Sequence, residues 1–345
     1  MHEEITFLGR VMEKDETVWF DWTCSGFQFA FEAERVEVEL AAVFGEENGQ
    51  RLTPFLAVFL DDMEMPYQVI ELTKKIGSYV LYEGDTSPHR MRVLKRTEAQ
   101  HTRTGLMQIR TTGGRGLSQW PLQETFKIEF IGDSITCGFG NETNRPEDGF
   151  IPCQENGWES YAAKTARKMN AQFHMVSVSG IGLYSSYTDT DTINENPLME
   201  DVYSCTDYYL DKNIMWDFTC YEPDVIIVFL GTNDLSYIGY DFEHRIPLFQ
   251  QKYRAFLETV RKKNGKHPRI LCCLGTMGEE LNDAVRETVE RYSKEMKDDR
   301  IRALLLNKQL KEDGEGGSFH PTIITHEKVS EKICDALKDW AEQDL

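Results

Sequence analysis

The chain is 345 residues long, 40% hydrophobic and 28% charged, with 38 Lys and Arg against 58 Asp and Glu, a formal net charge of −20. At about 150 residues per domain, that length fits two domains with sizeable cores. The acidic balance argues against nucleic acid or an anionic membrane surface as the main partner, because both would repel it. Apolar runs such as Phe55 to Leu60 and Val225 to Leu230 fall far short of the roughly 20 residues a membrane-spanning helix needs.

The amino terminus, Met1-His2-Glu3-Glu4-Ile5, has neither the basic start nor the apolar stretch of a secretory signal, so a cytoplasmic location is expected. The eight cysteines, with Cys272 beside Cys273 and no Cys-x-x-Cys pair, are too sparse for a disulfide scaffold. They read as reduced structural thiols rather than a zinc site.

Up to Gln119 the sequence reads as short strands broken by turns. Phe27, Phe29 and Phe31 alternate with Gln28, Ala30 and Glu32, and Val36, Val38 and Leu40 alternate with Glu37 and Glu39. This is the period-two pattern of a half-buried strand. Further strands are expected at Phe55 to Leu60, Gln68 to Leu72, Ser78 to Tyr82, Arg90 to Lys95 and Leu106 to Arg110, with turns such as Asp61-Asp62 and Gly84-Asp85 between them. Strands at this spacing without long helices predict an antiparallel sandwich or jelly roll over residues 1–119. Thr111 to Leu117 reads as a connector; no Gly-Lys-Ser/Thr follows its glycines, which speaks against a phosphate loop.

From Phe126 the pattern changes to strands alternating with helices. The strands are expected at Phe126 to Ile131, Phe173 to Val178, Val225 to Leu230, Arg269 to Leu274 and Arg302 to Leu306. The helices are expected at Glu159 to Asn170, Ile246 to Asn264, Glu280 to Lys297 and Ile323 to Glu342. Near-continuous apolar strands separated by helices predict a three-layer α/β domain, a parallel sheet covered on both faces, over residues 120–345.

Loops leaving the carboxyl ends of such strands share one edge, where ligands bind. Gly132-Asp133-Ser134-Ile135-Thr136 follows the first strand, Ser179-Gly180-Ile181-Gly182 the second and Gly231-Thr232-Asn233-Asp234 the third. Gly317-Ser318-Phe319-His320-Pro321 precedes the last helix. Singly each has a plainer reading, as a turn, a helix start or a loop histidine. Together they supply what acyl transfer requires: a serine hydroxyl, an imidazole to take its proton, and donors for the negative oxygen of a tetrahedral intermediate. The backbone N–H of Ser134, that of Gly180 and the side-chain NH₂ of Asn233 are the expected donors.

These blocks resemble the SGNH (GDSL) hydrolases over about residues 126 to 343. With His89 to Glu98, Gln154-Glu155-Asn156 before Ser160-Tyr161-Ala162-Ala163, and Trp216-Asp217-Phe218 ahead of Pro223-Asp224, the chain is closer still to carbohydrate esterase family two. There a β-sandwich precedes the hydrolase domain. The resemblance implies a flavodoxin-like C-terminal domain and removal of O-acetyl groups from acetylated oligosaccharides or polysaccharides such as xylan, without metal or organic cofactor. It implies Ser134 as nucleophile, His320 as base, and Gly180 and Asn233 in the oxyanion hole.

The aspartate that most SGNH enzymes place three residues before the histidine is Gly317 here. A Ser-His dyad is therefore expected, with a main-chain oxygen just before His320 holding the ring, since a carbonyl fixes the tautomer by accepting from Nδ1–H. Asp313 is the reserve orienter. Asp133 and Asp234 read as caps for loop backbone, Cys137 as a small buried hydrophobe, and His326 as a surface or packing histidine in the last helix. Among the aromatics near these loops, which include Trp120, Trp158 and Tyr187, the expected sugar contacts are Tyr184 and Tyr237, with Trp216 beside them.

Two rival functions remain at this level. One is a lipase or lysophospholipase, against which the acidic chain and the lack of an apolar lid weigh. The other is a non-catalytic carbohydrate-binding protein. Activity is expected to fall as pH drops through the base's pKa, roughly 6.5 if unperturbed. Subunit association is left open.

Overall fold

A computed structural model describes residues 3–208 and 213–343. The N-terminal domain is a pair of antiparallel sheets facing each other. One runs in the order Thr6–Leu8, Gly26–Glu32, His89–Lys95, Phe55–Leu60, Gln68–Glu71; the other runs Ile76–Glu83, Arg35–Val43, Arg103–Thr112, Thr17–Phe20, Met12–Lys14. Their inner faces carry the alternating residues read from sequence. Phe27, Phe29, Phe31, Val36, Val38 and Leu40 are fully buried and pack with Leu56, Val58, Met91, Val93 and Leu106 into one core.

The first three strands, ending at Phe20, escape a pattern reading because each is only three or four residues long. Thr111 to Leu117 is not wholly a connector. Its first two residues end strand Arg103–Thr112, and Gly116–Ser118 pairs back onto Gly26–Glu32. Between them Gly113 and Gly114 turn the chain at φ of 73° and 68°, a region where a Cβ is strained.

The C-terminal domain is a five-stranded parallel sheet in the order Ala171–Ser177, Phe126–Gly132, Val225–Phe229, Arg269–Leu274, Ile301–Leu305. Helices Tyr161–Lys168, Phe242–Asn264, Asn282–Met296 and Ile323–Gln343 accompany it. The chain passes from Phe126–Gly132 to Ala171–Ser177 on one side and then to Val225–Phe229 on the other, so the topological switch point at which such sheets bind ligands lies between Phe126–Gly132 and Val225–Phe229. The crossover from Ser177 to Val225 is mostly irregular, its one α-helix among the described residues being Met199–Val202.

The two domains share a core. Trp22, Cys24, Ala57, Phe59, Leu94 and Ala99 of the sandwich are continuous with the apolar interior of the parallel-sheet domain, and Phe59 lies 4.6 Å from Trp158, ring centre to ring centre. Polar groups also meet across the boundary. The buried Arg10 binds Glu129 Oε1 at 3.0 Å and the carbonyls of Tyr203 and Cys205, and Trp22 Nε1 donates to Thr206 O at 2.8 Å. Arg103 pairs with Asp207 at 2.5 Å. Burying charges is tolerated only with such partners.

Candidate active site

Strand Phe126–Gly132 ends in Asp133, whose carboxylate accepts from Ile135 N at 3.0 Å and caps the short helix Ser134–Cys137. Ser134 is thereby the first residue of a helical turn, with its N–H among those that have no intrahelical acceptor. The chain leaves this helix through Gly138 and Phe139, and the Phe139 ring lies 4.4 Å from the His320 ring.

His320 enters from 186 residues away and places Nε2 at 2.7 Å from Ser134 Oγ. Its Nδ1 lies 3.0 Å from Gly317 O. A carbonyl oxygen only accepts, so Nδ1 carries the proton and Nε2 is left to accept from the serine hydroxyl. The loop that provides this carbonyl is pinned to the loop after Ser134: Gly317 N donates to Gly140 O at 3.0 Å, and Ser318 N to Asp148 O at 2.9 Å. Burial pushes the imidazole down to about 4, although the backbone acceptors at Gly317 and Ser318 favour its charged form. Asp313 takes no part here. Its carboxylate binds Lys328 Nζ at 2.6 and 2.7 Å.

Gly180 sits at φ +77°, a conformation in which an L-residue is strained. Its carbonyl accepts from Tyr187 N at 2.8 Å. The loop beyond it wraps around Asp234, whose carboxylate accepts the N–H groups of Leu183, Tyr184 and Ser185. Asn233 Nδ2 reaches into the same loop, donating to Ile181 O at 2.9 Å and to Asp133 Oδ2 at 3.2 Å. Both aspartates are wholly buried; burial pushes Asp133 up to about 7 and Asp234 up to about 6. They organise loop backbone, as their position in the sequence suggests.

Ser134, Gly180, Asn233 and His320 line one cleft of 660 Å³, room for more than one sugar-sized group. Its lining includes the apolar Leu235, Leu274, Met277 and Leu281 together with Phe150, Tyr187, Gln100 and His101. Glu47, Gln100 and His101 come from the sandwich, a contribution that no local pattern in the sequence signals. The expected sugar contacts are corrected. Tyr184 is buried edge-on against Tyr237 at 5.6 Å, and Arg245 covers the Tyr237 ring at 3.7 Å. Trp216 stands against His174 and Arg10 in a different cavity, at the amino ends of the strands. Closeness in sequence to the loops, which Tyr184 and Tyr237 share, does not bring a ring into the cleft. The aromatic on the rim is Tyr187, 61% exposed.

Two other sequence readings resolve. His326 is buried rather than on the surface, its Nδ1 accepting from Tyr161 N at 3.1 Å. Cys137 is buried with Sγ 3.2 Å from Ser177 Oγ, and burial holds its thiol well above the usual range, so it is no rival nucleophile. Among the described residues the group with metal-ligand spacing is Glu98, Cys137 and Glu155, which lies outside the cleft lining.

Comparisons with known proteins match both parts of the chain. Residues 130–327 match the GDSL-like lipase/acylhydrolase family, and residues 7–121 match the carbohydrate esterase 2 N-terminal domain. The chain is similar to the cellulase/esterase CelE of Acetivibrio thermocellus, 34% identical over 325 residues that cover 92% of this chain and 37% of that protein. It thus spans little more than a third of that relative's length. An acetylxylan esterase / glucomannan deacetylase of Cellvibrio japonicus is 28% identical over 261 residues, 74% of this chain and 69% of that protein. The structure of a family two carbohydrate esterase from Clostridium thermocellum in complex with cellohexaose superposes with a TM-score of 0.86 at 29% identity, covering 98% of this chain and 99% of that one. An acetyl xylan esterase from Butyrivibrio proteoclasticus, 20% identical, shares the fold with a TM-score of 0.85 over 99% of this chain and 96% of that one.

Proposed function

Because this chain belongs to the GDSL-like lipase/acylhydrolase family and carries the carbohydrate esterase 2 N-terminal domain, we propose that it is a carboxylic ester hydrolase that removes O-acetyl groups from carbohydrates. Its substrates on this reading are acetylated xylan or xylo-oligosaccharides. The observation that carries the reading is the Ser134 Oγ–His320 Nε2 contact of 2.7 Å, with Nδ1 turned to a carbonyl, inside a 660 Å³ cleft.

In the first half-reaction the Ser134 hydroxyl gives its proton to His320 Nε2 as Oγ bonds to the acetyl carbon. The carbonyl oxygen becomes negative and is held by the N–H groups of Ser134 and Gly180 and the amide of Asn233. For that, Asn233 exchanges its longer contact, the one to Asp133, for the substrate oxygen and keeps the one to Ile181. His320 then protonates the departing sugar oxygen, leaving acetyl-Ser134, and water repeats the sequence with the same base. Gly317 O holds the tautomer throughout. It carries no full negative charge, so the imidazolium gains less than an aspartate would give it.

A second reading, a GDSL esterase for longer acyl chains, is favoured by the apolar lining residues Leu235, Leu274, Met277 and Leu281. Initial rates on para-nitrophenyl acetate, para-nitrophenyl butyrate and acetylated xylo-oligosaccharides decide between them. Acetate is expected to be faster than butyrate, and Ser134→Ala to abolish both. Faster turnover of butyrate would replace the first reading by the second. A folded protein that binds glycan, releases no acetate and leaves Ser134 unlabelled by a phosphonate would remove both.

A further inference from the structure

Beside the Ser179–Gly180 segment lies a group of side chains that the reaction above leaves unused. Glu98, Cys137 and Glu155 are wholly buried, with their ligand atoms within 4.8 Å of one another. Glu98 belongs to the sandwich, in the loop between strands His89–Lys95 and Arg103–Thr112; the other two belong to the parallel-sheet domain. That loop is held firmly. Lys95 Nζ donates to the carbonyls of Thr97 and Glu98 at 2.8 and 2.6 Å, and Glu98 N donates to Glu155 Oε2 at 2.9 Å.

From this base Glu98 Oε2 reaches across the domain boundary and accepts the backbone N–H of Ser179 at 2.7 Å. Ser179 immediately precedes Gly180. Gln100, two residues after Glu98, lines both the main cleft and a 230 Å³ cavity that shares Ser179 and Gly180 with it. The loop therefore lies beside the glycine segment. Burial, and then the charge of Glu98, push the Glu155 carboxyl well up.

Resting on the esterase reading, we propose that Glu98 is a positioning residue for the reaction: a carboxylate of the sandwich that holds the Val178–Ser179 peptide through the Ser179 N–H and so sets the direction in which the next peptide presents the Gly180 N–H to the oxyanion. A hydrogen bond to a carboxylate in a buried setting is short and stiff, and this one holds the residue immediately before Gly180. The sandwich is then a working component of the catalytic centre.

The test compares Glu98→Ala, which removes the acceptor, with Glu98→Gln, which keeps an oxygen in its place. On para-nitrophenyl acetate Glu98→Ala is expected to lower kcat by about 10- to 100-fold, since displacements of an ångström in a site cost on that order, with KM within about twofold. Glu98→Gln is expected to recover most of the loss, which general destabilisation would not produce. A folded Glu98→Ala with wild-type kcat, or a loss confined to KM, overturns the proposal. Should Glu98→Ala fail to fold, Glu98→Asp decides: it keeps the charge but withdraws the carboxylate by one methylene, and an unchanged kcat overturns the proposal. Ser134→Ala run alongside separates the two claims. Full activity there would remove the esterase reading itself, whereas an inactive Ser134→Ala beside a fully active Glu98→Ala removes only the role of Glu98.

Discussion

The parallel sheet and the sandwich both build the cleft, and they do so by different means. The sheet delivers Ser134, Gly180 and Asn233 by strand endings: each follows an apolar strand by a few residues, and the shared direction of the strands brings the three to one edge. The sandwich delivers Glu47, Gln100 and His101 by docking, and their position depends on the core shared between Trp22, Phe59, Leu94 and the parallel-sheet interior. The first kind of placement follows from local chain direction. The second exists only once two separately patterned regions have met. A site residue of the second kind is held by stability, and damage to the interface reaches the chemistry.

The sharpest challenge to the first half of this contrast is Gly180→Ala. The alanine would be strained at φ +77°, and displacing one oxyanion donor is expected to cost about 10²–10³ in kcat, with KM little changed; steady-state kinetics on para-nitrophenyl acetate measure both. A twofold effect would mean that Gly180 is a turn and nothing more. The second half is challenged by Arg10→Ala. Removing this guanidinium strands Glu129 in the interior, which is expected to cost about 3–5 kcal/mol, read as a lower midpoint in urea. Lost activity at a denaturant concentration where the wild type still works would tie the interface to the cleft.

The pH profile comes next. His320 must be neutral to accept the serine proton, and burial puts its pKa at about 4. The rate is therefore expected to hold down to about pH 5 and to fall below it, rather than to halve near the ordinary value of about 6.5. An acid limb at 6.5 would mean that the cleft is wetter than its walls suggest. Stability balances opposing groups. His174 and His326 are likewise pushed down, each to about 3, so below about 6.5 the unfolded chain gains protons there that the folded one refuses, whereas Asp133 and Asp234, pushed up to about 7 and about 6, hold protons that the unfolded chain releases. The histidines therefore destabilise the fold and the aspartates stabilise it as pH falls from about 6 to about 4. The smallest effect is expected from Asp313→Asn, which loosens the pair with Lys328 and should leave kcat within about twofold. A fall of several orders of magnitude with the fold intact would restore Asp313 as the orienter of His320.

What is legible in the sequence follows the same division. Strands such as Val225–Phe229 and Phe27 to Phe31 announce themselves because burial on two faces, or on alternate residues, leaves a repeat in the chain. Ser134, Gly180, Asn233 and His320 are legible as a set because each interrupts such a strand or precedes a helix with residues of one chemistry. The carbonyl acceptor for His320 is also readable, since Gly317 has no side chain to offer. Tyr187 does not stand out in the sequence, and Tyr184, Tyr237 and Trp216 mislead. Proximity along a loop does not say which way a ring turns, and Asp234 folds the backbone of Tyr184 inward. Glu98 closes the His89 to Glu98 stretch that carries part of the family resemblance, but nothing in that stretch says what its carboxylate touches. That shows only once it is wholly buried against another domain's backbone.

The shared core has a mechanical consequence. The segment from Gln119 to Thr125 that joins the two domains is largely exposed and has no regular structure, so it bears little of the load. A single protease cut there should leave two fragments that travel together on a sizing column and keep their activity. The two parts are then expected to move as one body, with the cleft between them held at one width.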